Sequence, residues 1–157
     1  MSKINNSFRF TGYVGDKPET RFNSQTGELV AMQLSIGVDG SYKDKKNNGA
    51  VVDHTDWFDL SCYAKSLNEK VIQPYVEKGT RVQVRGRMRK VVWDSKTRFN
   101  DDQTPKKDSR IEFVMTEILL LGRPKNSTLP DSAEAAIGNT YTADSDEIDF
   151  DAVGIPE

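Results

Sequence analysis

This 157-residue sequence has a single cysteine and a single histidine. A lone cysteine cannot form an internal disulfide, and one thiol with one imidazole does not make a Cys/His metal site. Long apolar runs are missing too: none approaches the roughly 20 residues that span a bilayer. The polar start, Met1 to Ser7, lacks the charged-then-apolar layout of a signal peptide. Walker, nucleophile-elbow and His-Glu-x-x-His patterns are absent, and the many carboxylates form no recognisable catalytic pair. His54 stands alone in a loop between Asp53 and Asp56. The expectation is a non-enzymatic, cytoplasmic protein with no metal, no cofactor and no membrane contact.

Positive charge is missing from one end. All 22 Lys and Arg lie at or before Lys125, whereas eight of the 24 Asp and Glu follow it. Residues 1–125 therefore carry 22 positive against 16 negative charges, a net +6, and residues 126–157 carry −8. Such a basic body suits a polyanion, and such a tail must stay off it or reach something else. The tail is rich in Ser, Thr, Asp and Ala, with too few large apolar residues to offset the entropy of ordering it. These features divide the chain into a folded domain over 1–123 and a disordered acidic tail over 124–157.

What is present in the body is a period of two. Phe8 and Phe10 alternate with Arg9 and Thr11 before the turn signal Gly15-Asp16-Lys17-Pro18, and Val30, Met32, Leu34, Ile36 and Val38 alternate with small or polar neighbours. A third strand from Asp56 to Tyr63 puts Phe58, Leu60 and Cys62 on one side, and Trp57, Asp59, Ser61 and Tyr63 on the other. The fourth, Thr80 to Lys90, opposes Val82, Val84, Gly86 and Met88 to Arg81, Gln83, Arg85, Arg87 and Arg89. The fifth, Arg110 to Leu121, is the most apolar. Between the third and fourth, Leu67, Val71, Ile72, Tyr75 and Val76 recur at helical spacing up to Lys78-Gly79, and Pro74 makes that helix short or kinked. An all-β chain with one short helix in this order predicts an OB-fold, a five-stranded Greek-key barrel, although sandwiches satisfy the same pattern.

Chemistry follows from the faces turned away from the core. Trp57 and Tyr63 lie opposite the apolar side of their strand, where a second hydrophobic layer or a subunit interface is the plain alternative. Here, however, rings come with cations. Arg85, Arg87 and Arg89 form a ladder, Trp93 follows it, and Tyr42 precedes Lys43, Lys45 and Lys46. An unpaired nucleic acid strand needs this combination: each base offers a flat face worth about 1–3 kcal/mol when stacked on a ring, and each phosphate seeks an Arg or Lys. A duplex hides its base faces.

Several stretches carry a family resemblance: Phe10-Thr-Gly-Tyr-Val-Gly-Asp-Lys-Pro-Glu-Thr-Arg21, Gly-Glu-Leu-Val-Ala-Met-Gln-Leu-Ser from Gly27, Tyr42-Lys-Asp-Lys45, Thr55-Asp-Trp-Phe58, Tyr75-Val-Glu-Lys-Gly-Thr80 and Val82-Gln-Val-Arg-Gly86. Kept in order over residues 6 to 122, they resemble the single-stranded DNA-binding proteins of bacteria, phages and plasmids. The resemblance implies base stacking on Tyr42, Trp57, Tyr63 and Trp93. It also implies a homo-oligomer, usually a tetramer, and a role coating single strands in replication, recombination and repair. It further implies a tail that docks on partner proteins, for which Asp146, Glu147, Asp149, Phe150, Asp151, Ile155 and Pro156 are the candidates. Family tails usually end in phenylalanine, whereas the last residue here is Glu157. Two other departures are a long polar loop over Asp94 to Ser109 and a short linker after Arg123. An RNA-binding OB module and a replication-restart interaction subunit are the alternative expectations, with a nuclease behind them.

Overall fold

The computed structural model describes residues 5–144. In chain order its strands are β1 (Phe8–Val14), β2 (Glu19–Phe22), β3 (Leu29–Asp39), β4 (Tyr42–Asp44), β5 (Ala50–Val52), β6 (Thr55–Cys62), β7 (Arg81–Phe99), β8 (Pro105–Gly122) and β9 (Thr140–Thr142). One helical segment lies between β6 and β7, in three pieces: Lys65–Leu67, a π-helical turn Asn68–Ile72, and Gln73–Tyr75. The turn widens just before Pro74, which has no N–H to complete the α-helical ladder.

Five strands close on themselves. β1 pairs with β7 through Phe8 to Tyr13 and with β3 through Tyr13 and Val14, completing the ring β1–β7–β8–β6–β3. Every pairing in the ring is antiparallel except β6 with β8, where Leu60 faces Phe113 and Ser61 faces Val114. This is the predicted OB barrel, and because β6 covers β8 only at Phe113 and Val114, the later part of β8 keeps an edge open.

The alternation in the sequence sets the inside. Met32, Leu34 and Ile36 of β3, Leu60 and Cys62 of β6, Val82 and Val84 of β7, and Met115, Ile118 and Leu120 of β8 are buried together. Leu67, Val71 and Ile72 join them from the helix. Phe8, Phe10, Phe58 and Phe113 meet as an aromatic group, with Phe10 and Phe58 stacked at 4.2 Å between centroids. The β7–β8 register slips at Gly86, since Arg85 faces Glu117 while Gly86 faces Met115. Glycine is required at that bulge: a Cβ would lie 1.9 Å from the Val114 carbonyl oxygen.

Two sequence expectations need correction. Asp94 to Ser109 is not a long loop, because β7 runs on to Phe99 and β8 begins at Pro105. Its mixed charges are cross-strand partners, Lys107 with Asp94 and Arg98 with Asp108, so polarity marks an exposed hairpin here rather than a loop. The second correction concerns the expected disordered tail, whose first part is ordered. Residues 131–136 form a 3₁₀ turn that buries Ala133 and Ala136, and β9 pairs with Glu117 to Leu119 of β8. Ile137, Tyr141 and Ala143 pack against the core. The Arg123 guanidinium holds Glu134 at 3.1 Å, Ser127 at 3.0 Å and the Leu129 carbonyl at 2.8 Å. Composition counts apolar surface, but it does not see the backbone groups that the β8 edge offers to a passing segment. The candidate tail contacts Asp146, Glu147, Asp149, Phe150, Asp151, Ile155 and Pro156 lie outside the described residues.

Candidate nucleic-acid interface

The period of two that sends Phe58 and Leu60 inward sends Trp57, Asp59, Ser61 and Tyr63 to the outer face of β6. Trp57 is 60% exposed. Its ring lies across two glycines: a Cβ would come within 2.9 Å of it at Gly37 and within 2.4 Å at Gly15. The indole thus rests one face on bare backbone. A glycine in the middle of a paired strand costs about 0.5–1 kcal/mol relative to alanine, and here it makes room for the ring.

Tyr63 is placed differently. Its hydroxyl donates to Glu112 Oε1 at 2.6 Å, and Glu112, on the outward side of β8, is only 6% exposed. Burial, then the hydrogen bond and the charge of Glu112, push the Tyr63 phenol from its ordinary 10.0 up to about 12. Arg89 Nε lies 3.9 Å from Glu112 Oε2, linking a row of side chains across β6, β8 and β7. Arg85, Arg87 and Arg89 do share the outward face of β7, but Arg85 stands 3.6 Å from Glu117. Two of the three ladder arginines therefore sit beside a glutamate of β8, and the ladder is less cationic than its composition.

Farther along β7, on the same side as Arg89, Trp93 is half-buried, with the Arg110 guanidinium 6.0 Å from its ring centroid. Trp57, Tyr63, Arg87, Arg89 and Trp93 are thus brought onto one outer surface, β6–β8–β7. Tyr42 is not part of it. With Lys43, Lys45 and Lys46 it rides on the separate β4–β5 hairpin, 56% exposed, and Asp44 caps the following turn through the Lys46 N–H at 2.9 Å. His54 is exposed, 3.1 Å from Asp56.

A groove of about 560 Å³ runs over β3, β6 and β8, lined by Gln33, Ser35, Asp59, Ser61, Arg110 and Glu112 among others. Asp16 and Glu19 flank it with Lys17, so carboxylates outnumber cations there. Such a floor suits base edges and hydroxyls, whereas phosphates belong on the cationic rims. Sequence reasoning missed Glu112, Arg110 and the glycine seat. Glu112 was hidden inside the most apolar strand, although its place next to Phe113 marks it as outward. Arg110 was assigned only as a strand end.

A family profile described as Single-strand binding protein family matches residues 5–121. Single-stranded DNA-binding protein 1 of Chlorobaculum tepidum is 25% identical over 122 residues, which are 78% of this chain and 68% of that protein. The solved structure titled "Plasmodium falciparum SSB complex with ssDNA" superposes with a TM-score of 0.60 at 20% identity, covering 78% of this chain and 99% of that one. At that identity the likeness speaks for the fold alone.

Proposed function

The chain belongs to the single-strand binding protein family, and from that premise we propose that it coats single-stranded DNA with little sequence preference. The observation that carries this reading is the exposed indole of Trp57 on a surface it shares with Tyr63, Trp93 and the arginines of β7. Bases stack on the rings, and the cations of β7 and of the Tyr42 hairpin neutralise phosphates; together these compete with reannealing. The role is binding rather than catalysis: keeping strands unpaired during replication, recombination and repair. A homotetramer acting in the cytoplasm is part of the proposal. So is docking of replication or recombination proteins on the acidic end, through Asp146, Glu147, Asp149, Phe150, Asp151, Ile155 and Pro156.

The test is a titration of labelled oligo-dT, duplex DNA and RNA of equal length at two salt concentrations, with the mass measured in solution. Preference for oligo-dT, with affinity falling as salt rises, is the expected result. Preference for RNA would make the chain an RNA-binding OB module. Negligible binding of any strand would leave it an interaction subunit.

A further inference from the structure

One exposed ring on the barrel has no part in the surface described above. Tyr13, on β1, is 57% exposed. The registers put it in a single row: Arg81 of β7 faces Tyr13, Tyr13 faces Gly37 of β3, and Gly37 faces Trp57 of β6. Residues directly opposite in a ladder point to the same side, so Arg81, Tyr13 and Trp57 all stand on the outer wall. Gly37 places only backbone between the two rings. Tyr13 and Trp57 are each one strand from Gly37, so their Cα atoms are about 10 Å apart. The indole closes most of that gap, since it reaches over Gly37 to Gly15, two residues beyond Tyr13 in the chain. Arg81 is exposed, and among the described residues no carboxylate pairs with it.

We propose that Tyr13 is a further base-stacking residue, continuing the platform of Trp57 around the barrel, with Arg81 taking the adjoining phosphate. The proposal rests on the single-strand reading above. Its occupant is a nucleic acid strand because two exposed rings lie side by side over backbone and the row ends in a cation; a packing partner would have to bury Arg81.

The experiment uses the full chain, oligo-dT, and the variants Tyr13→Leu, Tyr13→Phe and Arg81→Gln. Leucine keeps the apolar bulk and removes the π face, so Tyr13→Leu should weaken binding roughly tenfold. Tyr13→Phe should stay within about twofold, because its ring remains. Mass and thermal midpoint should be unchanged in both. Arg81→Gln should flatten the dependence of log affinity on log salt by about 0.7. Unchanged affinity in Tyr13→Leu, while the unmutated chain binds oligo-dT, would overturn the subsite alone. A loss in Tyr13→Leu accompanied by a changed mass would make Tyr13 a subunit contact and overturn it as well. If the unmutated chain does not bind, the single-strand reading fails, and the subsite fails with it.

Discussion

Tyr63→Phe separates the two duties of one ring. The substitution keeps the aromatic face and removes the hydroxyl that donates to Glu112 Oε1 at 2.6 Å. A hydrogen bond to a charged group contributes about 1.5–3 kcal/mol, and Glu112 is buried enough that water does not readily replace the lost donor. The rise of the phenol from 10.0 to about 12, caused first by burial and then by Glu112, measures how strongly the fold disfavours the ionised ring, so it sets the pH window while the hydrogen bond sets the magnitude. The unmutated protein should therefore be more stable than Tyr63→Phe by about 1.5–3 kcal/mol at neutral pH. The folded phenol ionises later than the unfolded one, so its contribution is complete below about pH 10 and is lost as pH rises from about 10 to 12. Urea unfolding of both proteins at pH 8, 10 and 11 should show a constant gap that then narrows. Equal stabilities at pH 8, or a gap that persists undiminished at pH 11, would refute the Tyr63–Glu112 coupling. Oligo-dT affinity should change little, because the ring remains.

Trp57→Ala should weaken oligo-dT binding by about 1–3 kcal/mol with the fold intact, and quenching of indole fluorescence on titration should shrink with it; an unfolded variant would place the ring in the core instead. Replacing Arg85, Arg87 and Arg89 together by Gln should flatten the salt dependence by less than the roughly 2 units expected of three unengaged cations, because Arg85 and Arg89 already face Glu117 and Glu112. Ending the chain after Asp144 should preserve the thermal midpoint and tighten strand binding at low salt, since a tethered polyanion competes with DNA. Ending it after Lys125 should lower stability by several kcal/mol, because it strips β9, Ile137 and Tyr141 from β8; equal midpoints for the two truncations would contradict the packing of residues 131–143. Gly86→Ala should be strongly destabilising in the same assay, with a Cβ 1.9 Å from a backbone oxygen.

The five barrel strands and the outward direction of Trp57, Tyr63 and the β7 arginines were legible from the alternation of residues, because period two is a local property of extended backbone, whereas β2, β4, β5 and β9 were not read, and Val30 and Met88, expected on the core side, are exposed. The helix between the third and fourth strands, and its disturbance at Pro74, were legible for the same reason. Tertiary structure alone decided what met across strands. Glu112 became a buried partner of Tyr63 only when β8 came to lie parallel to β6, and Tyr13 joined Trp57 only through the registers of β1, β3 and β6. The ends of elements were decided there too. Asp94 to Ser109 looked like a loop until Lys107 met Asp94, and residues 131–143 looked unfoldable until the β8 edge supplied hydrogen bonds. Periodicity records what a residue does to its own strand, whereas charge pairing and edge capping depend on a neighbour distant in sequence, which no single window of the chain contains.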